Sequence, residues 1–535
     1  MRHIAVIISI IFSAEAGAYA CATSDLIASK AFLDSGGVIL SRPEIQYKWA
    51  TPDGIFFIHY DIDGPMAVYH PNEDVNPPDG IPDYVNRCAE FLHISHDVII
   101  NGLGFDPPPQ DGDQGGDSKY DIYLTNVPAL TTPESPSDEY PGRPAYSSYT
   151  HLGHEMRIPR YPDNPYPFLQ VSAAHEYFHA VEFAYRAYSA DVTPWWFESC
   201  AVWIEEVVFD DVNDGYYQLP DYLHSLHKSL YLTSGAFLYG AWLYPEFLNE
   251  VYGPSLIKEC WEKFAAFDFA VDAVDLAFDD FGIDFNTEYC RHIIWNYFTD
   301  YNYRPGFYEE GNMFGQTVIV ASTHSEYPVP WTEQPVEQQN LSGTYIEFLR
   351  PQISRGSLVL EYHNPTNDQQ YLGIAIMFSD GQVEYEIHKI DNMITPAFYI
   401  PDFANCDKVI MTPVWGYEGY IDDSTTLYSY RAYIDSASTS VVANDDRLPR
   451  FELTGAYPNP FNGSVSFSFI SPVEEYFKIM IYDTVGRLVM TESGASVRGL
   501  NSVRLDFPDY LAGGVFFYSI QAEKRSLDGK ILYLK

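Results

Sequence analysis

Hydrophobic and polar positions change rhythm several times along the chain, and each rhythm predicts a different kind of element. Residues 54–60 (GIFFIHY) and 120–125 (YDIYLT) are short, β-rich runs that predict strands, with a predicted helix from Tyr84 to Gly102 between them. Residues 168–300 carry continuous or 3.6-periodic apolar positions, which predicts helices over Phe168–Ala187, Trp196–Val208, Tyr231–Val251, Ser255–Phe264 and Glu288–Phe298. After residue 315 the rhythm is β-type. Runs at Gln316–Ala321, Gly343–Phe348, Gly356–Tyr362, Tyr371–Met377, Lys408–Val414 and Thr426–Tyr433 predict a β-sandwich over 315–435. The small polar stretch 436–450 reads as a linker, and 451–535 as a compact all-β module. The expected organisation is therefore multidomain: a mixed α+β domain over 21–310, the β-sandwich, the linker and the closing module.

The first twenty residues read as a signal peptide. Arg2 and His3 precede the mostly apolar Ile4–Ala14, and Ala18-Tyr19-Ala20 supplies small residues before a cleavage point. Cys21 would then begin the mature chain, which raises lipidation, although Ala18 replaces the leucine usual in lipoprotein signals. No later segment offers a membrane-spanning run of apolar residues. A chain of 535 residues is too long for one core, and 44 Tyr with 34 Phe supply ample material for several. The formal net charge of −44 argues against nucleic acid or anionic membrane as partners, since both repel it. Six cysteines are too sparse for a disulfide scaffold; Cys260 and Cys290 are the pair that could bridge.

Candidate chemistry concentrates at Ser172–Ala180 (SAAHEYFHA). On a helix, His175 and His179 lie one turn apart on one face and can share a zinc ion. Glu176 stands beside the first of them, where it can take a proton from water as general base. The surrounding residues are apolar, and two unpartnered histidines in such a helix would be costly. A third ligand is required, and Glu198 stands in the tryptophan-rich stretch Trp196–Glu206 (WFESCAVWIEE), with eighteen residues between it and His179. HExxH followed at this interval by a glutamate resembles the gluzincin metallopeptidases, the clan of thermolysin-like and M1-aminopeptidase-like enzymes. The resemblance implies a gluzincin-like α+β catalytic domain, zinc ligands His175, His179 and Glu198, and Glu176 as the catalytic base. Where thermolysin-like enzymes carry an Asp buttressing one histidine, this chain has Val202, so Glu205 or Glu206 is expected to supply that carboxylate. A downstream Tyr or His stabilises the oxyanion in the family; Tyr231, Tyr239 and His227 all lie in the expected region.

Two further features refine the expectation. Asp74, Asn76, Asp79 and Asp83 are similar to calcium-binding loops of secreted proteins, with Gly80 for the sharp turn and one extra proline in the spacing; Asp111–Asp117 is a weaker candidate of the same kind. The closing module, through Tyr457–Asn462 (YPNPFN), Lys478–Leu488, Leu511–Tyr518 and Lys530–Lys535, resembles the type A sorting domains of the type IX secretion system. That resemblance implies Ig-like architecture, Sec export, engagement of the type IX machinery, and release or attachment at the cell surface. The expected activity is zinc-dependent hydrolysis of peptide bonds, with an endopeptidase favoured over an M1-like aminopeptidase. The rival from another class is a surface adhesion or glycan-binding protein that keeps zinc as a structural ion.

Overall fold

The computed structural model describes residues 42–435, less six short stretches of which 188–193 is the longest, and most of 452–533. The expected signal peptide, Cys21 and the linker 436–450 lie outside the described residues.

Strands β1 (Tyr47–Ala50), β2 (Phe56–Tyr60), β3 (Tyr120–Thr125), β4 (Ala129–Pro136) and β5 (Tyr146–Gly153) form a sheet in the order β1-β2-β3-β5-β4. The β2, β3 and β5 strands run parallel, in register through Ile58, Ile122 and Thr150. The outer strands β1 and β4 are antiparallel to their neighbours. Parallel pairing needs crossovers, and helix α1 (Asp83–His96), with a π-turn over Asp97–Gly102, lies in the connection from β2 to β3. The β4 and β5 strands had no counterpart in the sequence reading: TTPESP and SSYTH look like turn and loop composition, yet tertiary pairing makes strands of them.

Helices α2 (Tyr166–Glu182) and α3 (Trp195–Phe209) follow, and they pack against one another. Neither is amphipathic. From Phe168 to Glu182 almost every side chain of α2 is buried, because the sheet covers one flank and α3 another. Pro167 occupies its first turn, where no intrahelical N–H is lost, and Pro194 stands immediately before α3. The expected helix over Tyr231–Val251 is broken into Phe237–Gly240 and Leu243–Tyr252. Gly240 is required there: a Cβ would lie 2.5 Å from the Gln218 carbonyl oxygen. Helices Pro254–Phe264, Ala270–Phe281 and Phe285–Tyr297 complete this part, the second of them absent from the sequence reading.

Beyond residue 320 the expected strands form with shifted ends. One sheet contains Ser322–His324, Ile346–Leu349, Gln370–Phe378, Val383–Ile390 and Cys406–Trp415, and another contains Val329–Glu333, Ser357–His363, Ala397–Ile400 and Ser429–Asp435. Residues 316–321, expected as a strand, are coil leading into the first of these. Phe348, Leu372, Ile374 and Met411 from the first sheet share a core with Leu358, Leu360 and Tyr430 from the second. The other face of the first sheet packs on helix Phe285–Tyr297. Gly343 and Gly373 permit that approach, since a Cβ at either would come within 2.5 Å of Ile293 or 2.7 Å of Ile294. The apolar core of the helical part therefore runs without interruption into this sheet.

The closing region has its own core, built from Phe467, Ile479, Ile481, Tyr518, Ile520 and Ile531 on three- and four-stranded sheets. The chain is thus multidomain with mixed helix and strand content. Among the described residues, no helix is long and apolar enough to cross a membrane.

Candidate metal centre

His175 and His179 project from one face of α2 toward Glu198 in the first turn of α3. Their Nε2 atoms stand 3.1 Å apart. Oε2 of Glu198 is 3.3 Å from Nε2 of His175 and 3.7 Å from Nε2 of His179. All three side chains are buried, His179 and Glu198 completely. Among the described residues, only this group brings three metal-ligating atoms within 4.8 Å of one another.

The opposite edge of each imidazole is anchored. Nδ1 of His175 lies 2.6 Å from Oε1 of Glu205, and Nδ1 of His179 lies 2.6 Å from Oε2 of Glu182. A carboxylate on Nδ1 fixes ring orientation and presents the Nε2 lone pair, as in metal-ligating histidines generally. Glu205, one of two residues expected for this task, performs it, while Glu206 turns instead to the backbone N–H of Gly215 at 3.1 Å. The sequence reading missed Glu182. Its signal was present: a carboxylate three residues after His179 shares that helical face.

Four glutamates, Glu176, Glu182, Glu198 and Glu205, are buried in the same region as the two imidazoles. Burial, against the pull of His179, pushes the Glu182 carboxyl up to about 8, and burial likewise raises Glu205 to about 7. His179 is held well above the ordinary histidine range: burial opposes its charge, but Glu182 and Glu198 outweigh it. Neither oxygen of Glu198 makes a hydrogen bond, although both are buried. Its near neighbours are the two Nε2 atoms, too distant and poorly aligned for good hydrogen bonds, and a divalent cation between the three would be coordinated by all of them. The residues present fit such an ion, and zinc matches the two-nitrogen, one-oxygen donor set.

A narrow cleft reaches this group, lined by Ala129, His175, Glu176, Glu205, Gly215 and Tyr239 among others. Glu176 is fully buried, and Oγ1 of Thr131 on β4 lies 2.8 Å from both its Oε2 and its carbonyl oxygen. No local sequence pattern marked Thr131, which is 45 residues away. Tyr239 borders the cleft, whereas Tyr231 and His227 do not line it.

The other expected sites come out differently. Both oxygens of Asp74 accept backbone N–H groups, from Asp79 at 2.9 Å and Gly80 at 2.9 Å. Oδ1 of Asp83 accepts from Val75 and Asn76, and Oδ1 of Asp79 from Ile81. The loop is a set of carboxylate-capped turns, and calcium at Asp74, Asn76, Asp79 and Asp83 finds no support in this geometry. Asp111 pairs with Arg42, and Asp117 with Lys119. Cys260 and Cys290 are free buried thiols rather than a disulfide.

Residues 455–533 match the secretion system C-terminal sorting domain family. The chain therefore carries a type IX sorting tail, and its destination is outside the cell or at the cell surface. No curated protein matches the chain. Solved structures with partial similarity include a Faecalibacterium prausnitzii β-glucuronidase, 9% identical, with a TM-score of 0.14, covering 39% of this chain and 38% of that one. A Parabacteroides merdae β-glucuronidase is 9% identical over 36% of this chain and 27% of that one, at a TM-score of 0.15. A Parabacteroides distasonis β-1,2-glucanase is 12% identical over 36% and 30%, at 0.12. The chain thus spans well under half of these proteins, and such low TM-scores carry no argument about fold or activity.

Proposed function

We propose that the protein is a secreted zinc-dependent peptidase of the gluzincin type, with a β-sandwich between its catalytic part and its sorting tail. The observation that carries this reading is the buried convergence of His175, His179 and Glu198 on one point, with Glu198 lacking any hydrogen bond. These three residues would hold zinc, which when bound supplies a Lewis acid that polarises a carbonyl and acidifies water.

The roles of the protein's own groups follow from their positions. Glu176, at the cleft and held by Thr131, is the group that accepts the proton from attacking water and returns it to the leaving amine. Glu205 and Glu182 keep the two imidazoles aimed. Tyr239 lines the cleft, which supports assigning it to donate a hydrogen bond to the developing oxyanion. A peptide substrate is favoured because Ala129, at the start of β4, lines the cleft, and β4 is the last strand of its sheet. An extended peptide can align with such an edge by main-chain hydrogen bonds.

Zinc content and turnover separate ligands from base. His175→Ala, His179→Ala and Glu198→Ala are each expected to lose zinc. Glu176→Gln is expected to keep about one zinc per chain while peptide cleavage falls by roughly 10² or more. Cleavage at the wild-type rate by Glu176→Gln would refute the assignment.

A further inference from the structure

The contact between Thr131 and Glu176 is the inner end of a longer row of hydroxyls. Oγ1 of Thr131 lies 2.8 Å from Oε2 of Glu176 and 2.8 Å from Oγ1 of Thr150, its cross-strand partner on β5. Oγ1 of Thr150 lies 3.1 Å from the hydroxyl of Tyr120, which opens β3. That hydroxyl in turn lies 2.9 Å from Oγ of Ser148, two residues before Thr150 on the same strand. Three neighbouring strands therefore build one row, and α2 packs on β4 and β5. Glu176, Thr131, Thr150 and Ser148 are all buried, so bulk water does not compete for these bonds.

The row has one sense. Each hydroxyl carries a single proton, and an ionised carboxylate and a peptide carbonyl only accept. Both atoms of Glu176 near Thr131 are of that kind, so Thr131 donates to Glu176. Thr150 must then donate to Thr131, Tyr120 to Thr150, and Ser148 to Tyr120. Every donor points toward the carboxylate, and hydrogen bonds in series polarise one another. Burial raises the Tyr120 phenol above its ordinary value, which keeps it a donor. Its ring is also fixed, meeting edge-on the ring of Tyr177, the residue after Glu176 on α2, at a centroid distance of 6.1 Å.

We propose that Thr150 and Tyr120 are positioning residues for peptide hydrolysis: acting through Thr131, their hydroxyls hold the Glu176 carboxylate in the orientation from which it takes the proton of the attacking water. The inference rests on the peptidase reading for the reaction that Glu176 serves. A threonine hydroxyl on its own has more than one χ1 setting, and donation from Thr150 selects the one that faces Glu176. Tyr120 fixes Thr150 in the same way. None of Thr131, Thr150, Tyr120 and Ser148 lines the cleft at the metal centre, so their effect reaches the reaction through Glu176 rather than through substrate binding.

The test uses the full zinc-loaded chain, with kcat and KM measured on a peptide that the wild type cleaves. Tyr120→Phe removes one oxygen and keeps the ring against Tyr177, and Thr150→Val removes one hydroxyl at nearly constant shape. Each is expected to lower kcat roughly 10-fold with KM and zinc content unchanged, since small misplacements of a reacting group are costly. Thr150→Ser keeps the hydroxyl and should recover most of the loss. Tyr120→Phe should cost nothing further in the Thr150→Val background, where the row is already cut. Wild-type kcat in both single variants, with or without a lower melting temperature, overturns the proposal, as do independent effects that multiply in the double variant. Crystal structures of the zinc-loaded variants give a readout besides activity: the Glu176 carboxylate is expected to turn from its wild-type place in Thr150→Val and to keep it in Thr150→Ser. A carboxylate that stays in place in Thr150→Val overturns the proposal. If Thr150→Val does not fold, Tyr120→Phe decides by the same two readouts. If the wild type cuts no peptide, the peptidase reading fails instead, and the crystallographic comparison alone decides whether the hydroxyls hold Glu176.

Discussion

Nδ1 of His175 and Oε1 of Glu205 stand 2.6 Å apart, joined across two helices by residues thirty positions apart in the chain. Glu205 lies seven residues after Glu198, two turns along α3, so one helix supplies both a candidate ligand and the group that orients another. In the family this chain resembles, the buttress is expected one turn after the glutamate ligand, and here Val202 occupies that place.

This arrangement predicts a graded response to substitution. Glu205→Gln and Glu182→Gln each keep the side-chain shape but weaken the hold on one imidazole. Zinc affinity, measured by competition with a chromogenic chelator, is expected to drop roughly 10–100-fold in each. Unchanged affinity in both variants would show that the two carboxylates do not orient the ligands.

Tyr239 and Tyr231 give a sharper contrast. Both were candidates for oxyanion stabilisation on position alone, and only Tyr239 lines the cleft with His175 and Glu176. Tyr239→Phe is expected to lower kcat by roughly 10²-fold with little change in KM, the scale of one lost oxyanion donor. Tyr231→Phe is expected to leave kcat near the wild-type value. The reverse pattern would move the role to Tyr231.

The centre was legible in sequence where its logic is local. HExxH is one helical face, and Glu198 begins the next helix at a spacing the chain itself displays. Glu182 obeys the same local rule, three residues after His179 on one helical face. Thr131 could not be read, since only sheet pairing brings an unremarkable threonine of β4 onto Glu176. The acidic loop at Asp74–Asp83 shows the opposite error: its Asp, Gly and Pro residues satisfy a turn as well as an ion, and backbone N–H groups took the carboxylates. The β4 and β5 strands were hidden by Ser, Thr and Pro, whose strand character comes from their neighbours.

Burial of acids away from the candidate metal centre sets a pH dependence of stability. Glu206, Glu246 and Glu250 are raised to about 9, about 8 and about 7, in each case chiefly by burial. The groups facing them add to the effect: Glu205 and Asp214 toward Glu206, Asp210 toward Glu246, and Glu309 and Glu310 toward Glu250. Opposing them are hydrogen bonds from the Gly215 N–H to Glu206, from Asn249 to Glu246 and from the Glu309 N–H to Glu250, the last outweighing the charge of the same residue. In the unfolded chain these carboxyls titrate near ~4.3. Between that value and the raised ones the folded state binds more protons than the unfolded state, so stability falls as pH rises. The contribution is complete below the unfolded pKa and is lost progressively as pH passes through 7 to 9. Zinc-loaded protein in monovalent salt is therefore expected to melt a few degrees lower at pH 8 than at pH 6. Replacing Glu206 and Glu246 by Gln removes two of the three titrations and is expected to flatten that slope, with the larger gain at pH 8. A slope of the same size in the double variant would place the titrating groups elsewhere. A melting temperature that rose from pH 6 to pH 8 in the wild type would contradict the sign itself.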